Sequence, residues 1–221
     1  MRIALFFKSS RLKFVFISDT HSKHHSIKIP KADVLIHAGD VSQRGKKEEV
    51  IDFLQWFSKQ KIQHKIFIAG NHDFFFEHAS KEEIRSIIPE NVIYLNDSET
   101  RINGIKIWGS PVTPWFFNWA FNKKRGEEIR KHWDLIPADT DILVTHGPAY
   151  GFLDAISNEQ HVGCQDLLRR VLVVKPKIHV CGHIHESFGS IRRSEIQFIN
   201  ASQVDELYQL VNAPVVHILQ P

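Results

Sequence analysis

Five short segments of this 221-residue chain combine side chains that bind transition metals. The segments are Asp19-Thr20-His21, Gly39-Asp40, Gly70-Asn71-His72-Asp73, Thr145-His146-Gly147 and Gly182-His183-Ile184-His185. Imidazole, carboxylate and amide donors suit Mn, Fe, Zn or Co, whereas Mg and Ca prefer shells made only of oxygen. The neighbouring glycines let the backbone turn tightly or approach an ion closely. Each motif alone is weak evidence, but together they predict a transition-metal site.

Each of the five segments follows a short apolar run that is typical of a buried strand. The runs are Lys13–Ser18, Asp33–Gly39, Lys65–Gly70, Asp141–Thr145 and Lys177–Gly182. The first possible ligands beyond them are Asp19, Asp40, Asn71, His146 and His183. In open α/β sheets, ligands bind in the crevice outside the carboxyl ends of the strands, so we expect these five side chains to converge there.

The remaining patterns predict helices that cover the strands. Between the second and third runs, Lys46–Lys59 carries apolar residues at the helical spacing i, i+3, i+4 and i+7, which predicts a βαβ unit. Further helices are expected over Asn122–Trp133 and Gly163–Val174. Further strands are expected over Val92–Leu95, Arg101–Trp108, Gly189–Arg193, Ile196–Ile199 and Val215–Leu219, near turns at Asn103-Gly104 and Ser194. Because strands outnumber helices, the pattern favours a two-sheet α/β sandwich over a single sheet.

The length and composition indicate one domain with a small net charge. The 28 basic and 25 acidic residues give a formal charge of +3, and their interspersion does not indicate a nucleic-acid or membrane surface. No apolar run approaches the roughly 18 residues of a membrane span, and Ile3–Phe7 is shorter than the apolar part of a secretory signal. We therefore expect a single cytoplasmic domain over residues 1–221, in which Met1–Arg11 is either poorly ordered or an edge strand. The two cysteines, Cys164 and Cys181, are interpreted as buried free thiols.

The motif series DxH, GD, GNHD, TH-Gly and GHxH resembles that of the calcineurin-like metallophosphoesterase family, over about Lys13–Asn200. The segment Gly109–Phe121, with Arg125-Gly126 and His161–Cys164, is similar to the brain-type metallophosphoesterase-domain subgroup. The resemblance implies an αββα sandwich of two mixed β-sheets flanked by helices. It also implies a phosphoric ester hydrolase that uses two divalent transition-metal ions.

The resemblance assigns each ligand motif to an ion. It implies that Asp19, His21 and His185 hold one ion and that Asn71, His146 and His183 hold the other, while Asp40 bridges both. Two divalent ions, two carboxylates and a bridging hydroxide leave a net charge of about +1, which attracts an anionic ester. We expect in-line attack by that hydroxide on a small phosphate ester, with nucleotides among the candidate substrates. Subgroup resemblance favours a phosphodiesterase over a phosphomonoesterase.

His72 is the predicted catalytic histidine, because it lies beside Asn71 and is not a ligand in the family pattern. It would protonate the leaving alkoxide or stabilise charge on the phosphoryl oxygens. Of the other histidines, His37 and His179 lie in strand runs and are expected to be hydrogen-bonded core residues, while His161 is left open by its family context. No catalytic role is expected for His24, His25, His64, His78, His132 and His217.

Two further features keep alternative interpretations. The aromatic residues of Trp115–Phe121 and Phe74–Phe76 either stack a nucleobase above the metals or pack as core and lid, and packing is favoured. Arg44 either binds a phosphate oxygen or is a solvated turn residue.

The rival function from another class is a non-catalytic or weakly active scaffold of the same fold, as in the scaffold subunit of retromer. Lost ligands would mark such a protein, and none is lost here. A metallo-β-lactamase fold would need the motif HxHxDH and a zinc deaminase would need PCxxC, and the sequence contains neither motif. The modest charge also argues against a DNA-repair nuclease or a stable nucleic-acid partner. The sequence supports no protein phosphatase activity and sets no oligomeric state.

Overall fold

The computed structural model describes residues 11–220. The alternatives stated for Met1–Arg11 therefore fall almost wholly outside the described residues. The strands are β1 (Leu12–Ile17), β2 (Val34–Ala38), β3 (His64–Ile68), β4 (Ile93–Tyr94), β5 (Ser98–Ile102), β6 (Ile105–Ser110), β7 (Thr113–Pro114), β8 (Asn122–Lys123), β9 (Ile142–Thr145), β10 (Ile178–Cys181), β11 (Gly189–Arg193), β12 (Ile196–Asn200) and β13 (Val215–Leu219). The helices are α1 (Lys47–Ser58), α2 (Phe74–His78), α3 (Lys81–Ile87), α4 (Glu127–Trp133) and α5 (Gln165–Val174), with short 3₁₀ helices at His24–Ser26 and His185–Ser187.

Two mixed sheets contain most of the strands. The first has the order β13-β1-β2-β3-β4, in which β1 to β4 are parallel and β13 is antiparallel to β1. The second has the order β11-β12-β10-β9-β6-β5, in which the four inner strands are parallel and the two edge strands are antiparallel. Because the inner strands of each sheet are parallel, their carboxyl ends lie at the same edge of that sheet.

Three layers of apolar side chains hold the sheets and helices together. Phe14 and Ile36 of the first sheet pack against Ile142 and Val180 of the second, so the two sheets face each other. The outer face of the first sheet packs on α1, α2 and α3, and the outer face of the second packs on α4 and α5. The architecture is the αββα sandwich of two mixed sheets that the family resemblance implies, and it confirms the two-sheet sandwich that the strand pattern favours.

Two sequence-based boundaries are wrong for local reasons. Arg101–Trp108 is not one strand, because Asn103 and Gly104 have φ values of 49° and 89° and turn the chain into the hairpin of β5 and β6. The helix expected over Asn122–Trp133 begins only at Glu127, because Gly126 has a φ of 89° and Asn122–Lys123 pairs with β7. The short helices α2 and α3 were not predicted.

None of the helices over residues 11–220 is both long enough and apolar enough to cross a membrane. The cytoplasmic location inferred from the sequence stays a prediction. Cys164 and Cys181 are both free and buried, as expected.

Candidate metal centre

The candidate centre lies where the carboxyl ends of five strands from both sheets meet. β1, β2 and β3 deliver Asp19, Asp40 and Asn71, and β9 and β10 deliver His146 and His183. The sheets are joined here by polar contacts as well as by packing. His146 Nδ1 donates a hydrogen bond to the Ala38 carbonyl at 2.9 Å, and the His183 amide donates to both Asp19 carboxylate oxygens at 3.0 Å. Each sheet therefore positions side chains on the other.

The loops after these strands hold their residues in uncommon backbone conformations. Asp19, His21, Asp40 and His183 have φ values of 51°, 41°, 56° and 70°, in the left-handed region that non-glycine residues rarely occupy. Backbone hydrogen bonds fix two of these loops together, from the Asp19 amide to the Gly39 carbonyl at 2.9 Å and from the His21 amide to the Asp40 carbonyl at 3.1 Å. Strained residues of this kind cluster at functional sites, where the surrounding structure holds them in place.

Asp19, His21 and His185 form one compact group of possible ligands. His21 Nε2 lies 3.4 Å from His185 Nε2, and His185 Nε2 lies 3.5 Å from Asp19 Oδ1. The three ligand atoms lie within 4.8 Å of one another. This spacing is short enough for one ion to contact all three.

Asp40 lies between that group and a second one. Its Oδ2 atom is 3.7 Å from His21 Nε2 and 3.3 Å from His146 Nε2. On the far side, His146 Nε2 is 2.9 Å from Asn71 Oδ1. A single carboxylate that faces both groups has the position required of a bridging ligand.

His183 and His72 depart from this simple division. The His183 ring packs beside His146, with 5.1 Å between ring centroids, but His183 belongs to none of the compact His, Asp, Glu and Cys triplets found within residues 11–220. His72, which was not predicted to be a ligand, forms such a triplet with His21 and Asp40. Ligand assignment for these two residues stays a prediction.

Hydrogen bonds at the far side of two imidazoles leave Nε2 facing the centre. His146 Nδ1 donates to the Ala38 carbonyl, and His185 Nδ1 donates to the Asp205 carbonyl at 3.0 Å. Metal-binding histidines commonly donate their second ring N–H to a carbonyl or carboxylate, which fixes the tautomer and the ring orientation. The Nε2 lone pairs, the Asp40 and Asp19 carboxylates and the Asn71 amide oxygen thus form a donor set that fits transition-metal ions.

Burial and neighbouring charge shift the acid–base behaviour of the centre. Burial lowers the pKa of His21 to about 4 and that of His183 to about 3, so both rings are neutral at pH 7. Burial also opposes a charge on His146, but attraction to Asp40 outweighs it and raises the pKa to about 9. Burial acts to raise the pKa of the Asp40 and Asp19 carboxyls, but the nearby histidines outweigh it and keep both pKa values below their usual range. Without a metal, His146 therefore holds a proton that metal binding must displace.

His72 lies at the rim of the centre and is fixed by three contacts. Its Nδ1 donates to the Gln43 carbonyl at 2.9 Å, which leaves Nε2 available to a substrate. Its amide donates to Asp40 Oδ1 at 2.8 Å, and its ring stacks on Trp119 with centroids 4.3 Å apart. Tyr208 completes the enclosure, with its ring centroid 4.8 Å from that of His21 and 6.2 Å from that of His72.

Sequence reasoning did not identify Tyr208 or the role of Asp73. No motif surrounds Tyr208, and it reaches the centre only through the fold. The buried Asp73 carboxylate accepts hydrogen bonds from the amides of Gly70, Val41 and Ser42 at 2.8 to 3.1 Å. It therefore joins the loop after β2 to the loop after β3. Burial, reinforced by Asp40, raises the pKa of Asp73 to about 6.

The aromatic residues for which the sequence left two interpretations are partly buried in the core and partly exposed in the structure. Phe76 and Phe121 are core residues, whereas Trp115, Phe116 and Phe117 are 57%, 57% and 65% exposed. Arg44 lines a cleft with His72 and Tyr208.

The histidines of the strand runs lie in the core, as expected. The buried His37 and His179 contact the hydroxyls of Thr20 and Thr145 at 3.0 and 2.8 Å. His161, which the sequence left open, donates to Asp154 at 2.6 Å on the rim of a neighbouring cavity.

Comparison with known proteins finds a matching family and several similar sequences. The calcineurin-like phosphoesterase family matches residues 12–187. The chain is 42% identical to human metallophosphoesterase domain-containing protein 1, over 92% of this chain and 70% of that protein. It is 36% identical to a UPF0046 protein of Caenorhabditis elegans, over 93% of this chain and 74% of that protein.

Two solved structures share the fold at low sequence identity. Phosphopantetheinyl hydrolase of Mycobacterium tuberculosis aligns with a TM-score of 0.59 and 16% identity, over 88% of this chain and 90% of that one. GAP50, described as the anchor in the inner membrane complex of Plasmodium, aligns with a TM-score of 0.56 and 12% identity, over 95% and 81%.

Proposed function

This chain belongs to the calcineurin-like phosphoesterase family, and from that premise we propose that it is a phosphodiesterase with a dinuclear metal centre. Asp19, His21 and His185 would hold one ion, and Asn71, His146 and His183 the other. Asp40 would bridge them. The observation that carries the proposal is the position of the Asp40 carboxylate, 3.7 Å from His21 Nε2 on one side and 3.3 Å from His146 Nε2 on the other.

The chain's own residues prepare the centre for divalent ions. Carbonyl contacts hold His146 and His185 with Nε2 facing inward, and burial keeps His21 and His183 neutral. Ions of Mn, Fe, Zn or Co bound there would lower the pKa of a shared water toward about 7 and stabilise the attacking and leaving oxygens of an in-line displacement.

His72 would act on the leaving group. Its Nδ1 is committed to the Gln43 carbonyl, so only Nε2 is free to transfer a proton to the departing alkoxide. Trp119 and the backbone contact to Asp40 hold the ring at the rim of the cleft, where a leaving group would emerge. A histidine that is oriented but not saturated with hydrogen bonds suits general-acid catalysis.

A cavity beside the centre supports a diester substrate. It has a volume of about 520 Å³, and its lining includes His183, Trp115, Phe116 and Arg125. A monoester carries one organic group, whereas a diester carries two and gains from a second pocket next to the phosphate. Aromatic side chains around a cationic group suit a flat, polar substituent such as a nucleoside, although they serve other small organic groups equally well.

Hydrolysis of two model esters tests this proposal. Metal-stripped protein with Mn²⁺ added back should hydrolyse bis-p-nitrophenyl phosphate faster than p-nitrophenyl phosphate. Asp40→Ala should reduce both rates to background because it removes the shared ligand. His78→Ala, which changes an exposed histidine, should leave them unchanged.

The same assay decides between an enzyme and a scaffold of this fold. GAP50, which is described as an anchor, has this fold. If the loaded wild-type protein and Asp40→Ala are equally inactive with every transition metal, the scaffold alternative replaces the enzyme. A faster rate on the monoester would retain the hydrolase and overturn the diester preference.

A further inference from the structure

A second group of metal-binding side chains lies outside the candidate centre. His24 and His25 form part of the 3₁₀ helix that follows the Asp19–His21 loop, and Asp52 faces them from α1. We call these three residues the His24 cluster. Its ligand atoms lie within 4.8 Å of one another.

The spacing of the His24 cluster matches that of a tetrahedral zinc site. His24 Nε2 lies 3.1 Å from Asp52 Oδ2, and His25 Nε2 lies 3.1 Å from Asp52 Oδ1. Zinc bonds of about 2.0–2.1 Å in tetrahedral geometry place neighbouring ligand atoms about 3.3 Å apart. An ion therefore requires only small side-chain movements.

His24 supplies an independent reason to expect a ligand. The side chain is fully buried, and neither of its ring nitrogens has a hydrogen-bond partner. Its Nε2 lies 3.1 Å from Asp52 Oδ2, and the rings of Phe53 and Trp56 pack against it with centroids 5.6 and 5.1 Å away. Buried polar atoms are nearly always paired, so an orphan imidazole that points at a carboxylate calls for a missing partner.

The other two members are accessible from solvent. The side chains of His25 and Asp52 are 60% and 51% exposed, so an ion can enter and keep water in its fourth position. Two imidazoles and one carboxylate with an open position form a donor set that zinc accepts.

We propose that His24, His25 and Asp52 form a separate Zn²⁺ site that ties the 3₁₀ helix to α1. The helix continues from the loop that carries Asp19 and His21, and that loop is already bonded to the loop after β2 by the Ser22 amide and the Val41 carbonyl at 3.1 Å. A bound ion would stabilise the folded state by restraining this loop from its outer side. This site does not depend on the proposed hydrolysis.

Zinc stoichiometry tests the site directly. Metal-stripped wild-type protein, His25→Ala and Asp52→Asn are each equilibrated with micromolar Zn²⁺, freed of excess ion, and analysed by elemental mass spectrometry. Both variants should retain one zinc ion fewer per chain than wild type and show at least about tenfold weaker binding at the lost site. Zinc should also raise the melting temperature of wild type more than that of either variant.

His78→Ala is the matched control, because His78 is an exposed histidine that faces the single carboxylate of Glu77. It should retain the wild-type number of zinc ions. Since His25 and Asp52 are both more than half exposed, the variants should fold normally, and circular dichroism checks this. Equal zinc content in all four proteins, or loss of the extra ion only for His78→Ala, would overturn the proposal.

Discussion

At the scale of single residues, His72 differs from its neighbours in the centre by its contact with Asp40. The Nε2 atoms of His146 and His185 lie within 3.5 Å of Asp40 or Asp19, whereas His72 donates to Asp40 from its backbone amide and its ring lies farther out in the triplet with His21 and Asp40. Removal of the imidazole should therefore impair proton transfer and leave the ions in place.

His72→Ala is expected to lower kcat by about 10²–10⁴-fold, the usual contribution of a general acid. The Mn content of the purified variant should equal that of wild type. Steady-state hydrolysis of bis-p-nitrophenyl phosphate and elemental analysis measure the two quantities. A variant that turns over at the wild-type rate contradicts the proposed role, and one that loses an ion makes His72 a ligand.

Residue types that bear chemistry were largely predictable from sequence, but their partners were not. Asp40 and Asn71 are marked by local motifs, because strand, glycine and ligand are adjacent in the chain. Tyr208 reaches the centre from a distant segment with no motif of its own, and Trp119 comes from the aromatic stretch Trp115–Phe121, whose contact with His72 the sequence did not specify. Their roles depend on contacts with His21 and His72 that only the fold creates.

At the scale of elements, the turn after β10 brings the second sheet against the first. A Cβ atom on Gly182 would lie 2.0 Å from Asp19 Oδ2 and 2.1 Å from Ser18 Oγ. A side chain at this position therefore displaces the carboxylate of a proposed ligand. The glycine is required by close approach between the sheets.

Gly182→Ala should destabilise the protein by about 1–3 kcal/mol, as overpacking does, and weaken metal binding at the Asp19 group. Gly151→Ala is the control, because its Cβ would meet nothing within 4 Å. With a φ of 82° it should cost about 1 kcal/mol of strain and keep full metal content. Urea unfolding and metal analysis measure both effects. Normal metal content in Gly182→Ala would show that the loop yields without moving Asp19.

The strands and the long helix α1 followed from sequence better than the short helices. The buried strands are apolar runs, α1 has clear apolar periodicity, and β11 and β13 occupy the predicted ranges. The helices α2 and α3 have five and seven residues, too few to establish a period. They form because Phe76 and Ile84 pack on the first sheet, a tertiary contact that local sequence does not encode.

At the scale of the whole molecule, buried neutral histidines couple stability to pH. Burial lowers the pKa of His37 and of His179 to about 3, whereas an unfolded histidine titrates near 6.5. Between these pH values the unfolded state binds more protons than the folded state. The contribution of these two histidines to the free energy of unfolding should therefore be fully present above about pH 6.5. It should fall as the pH drops, by about 1.4 kcal/mol per pH unit for each histidine.

Urea unfolding of metal-stripped protein at several values from pH 7.5 to 4.5 measures this dependence. The double variant His37→Gln with His179→Gln should show a shallower slope than wild type, because glutamine does not titrate. His78→Ala, which changes an exposed histidine, should keep the wild-type slope. Equal slopes in all three proteins would mean that the two core histidines are not the source.

Anomalous diffraction from crystals of the Mn-loaded protein tests the central claim most directly. We predict two manganese peaks about 3.5–4 Å apart with the Asp40 carboxylate between them. Asp19, His21 and His185 should contact one ion, and Asn71, His146 and His183 the other. A single peak, or two ions that do not share Asp40, would contradict the dinuclear centre.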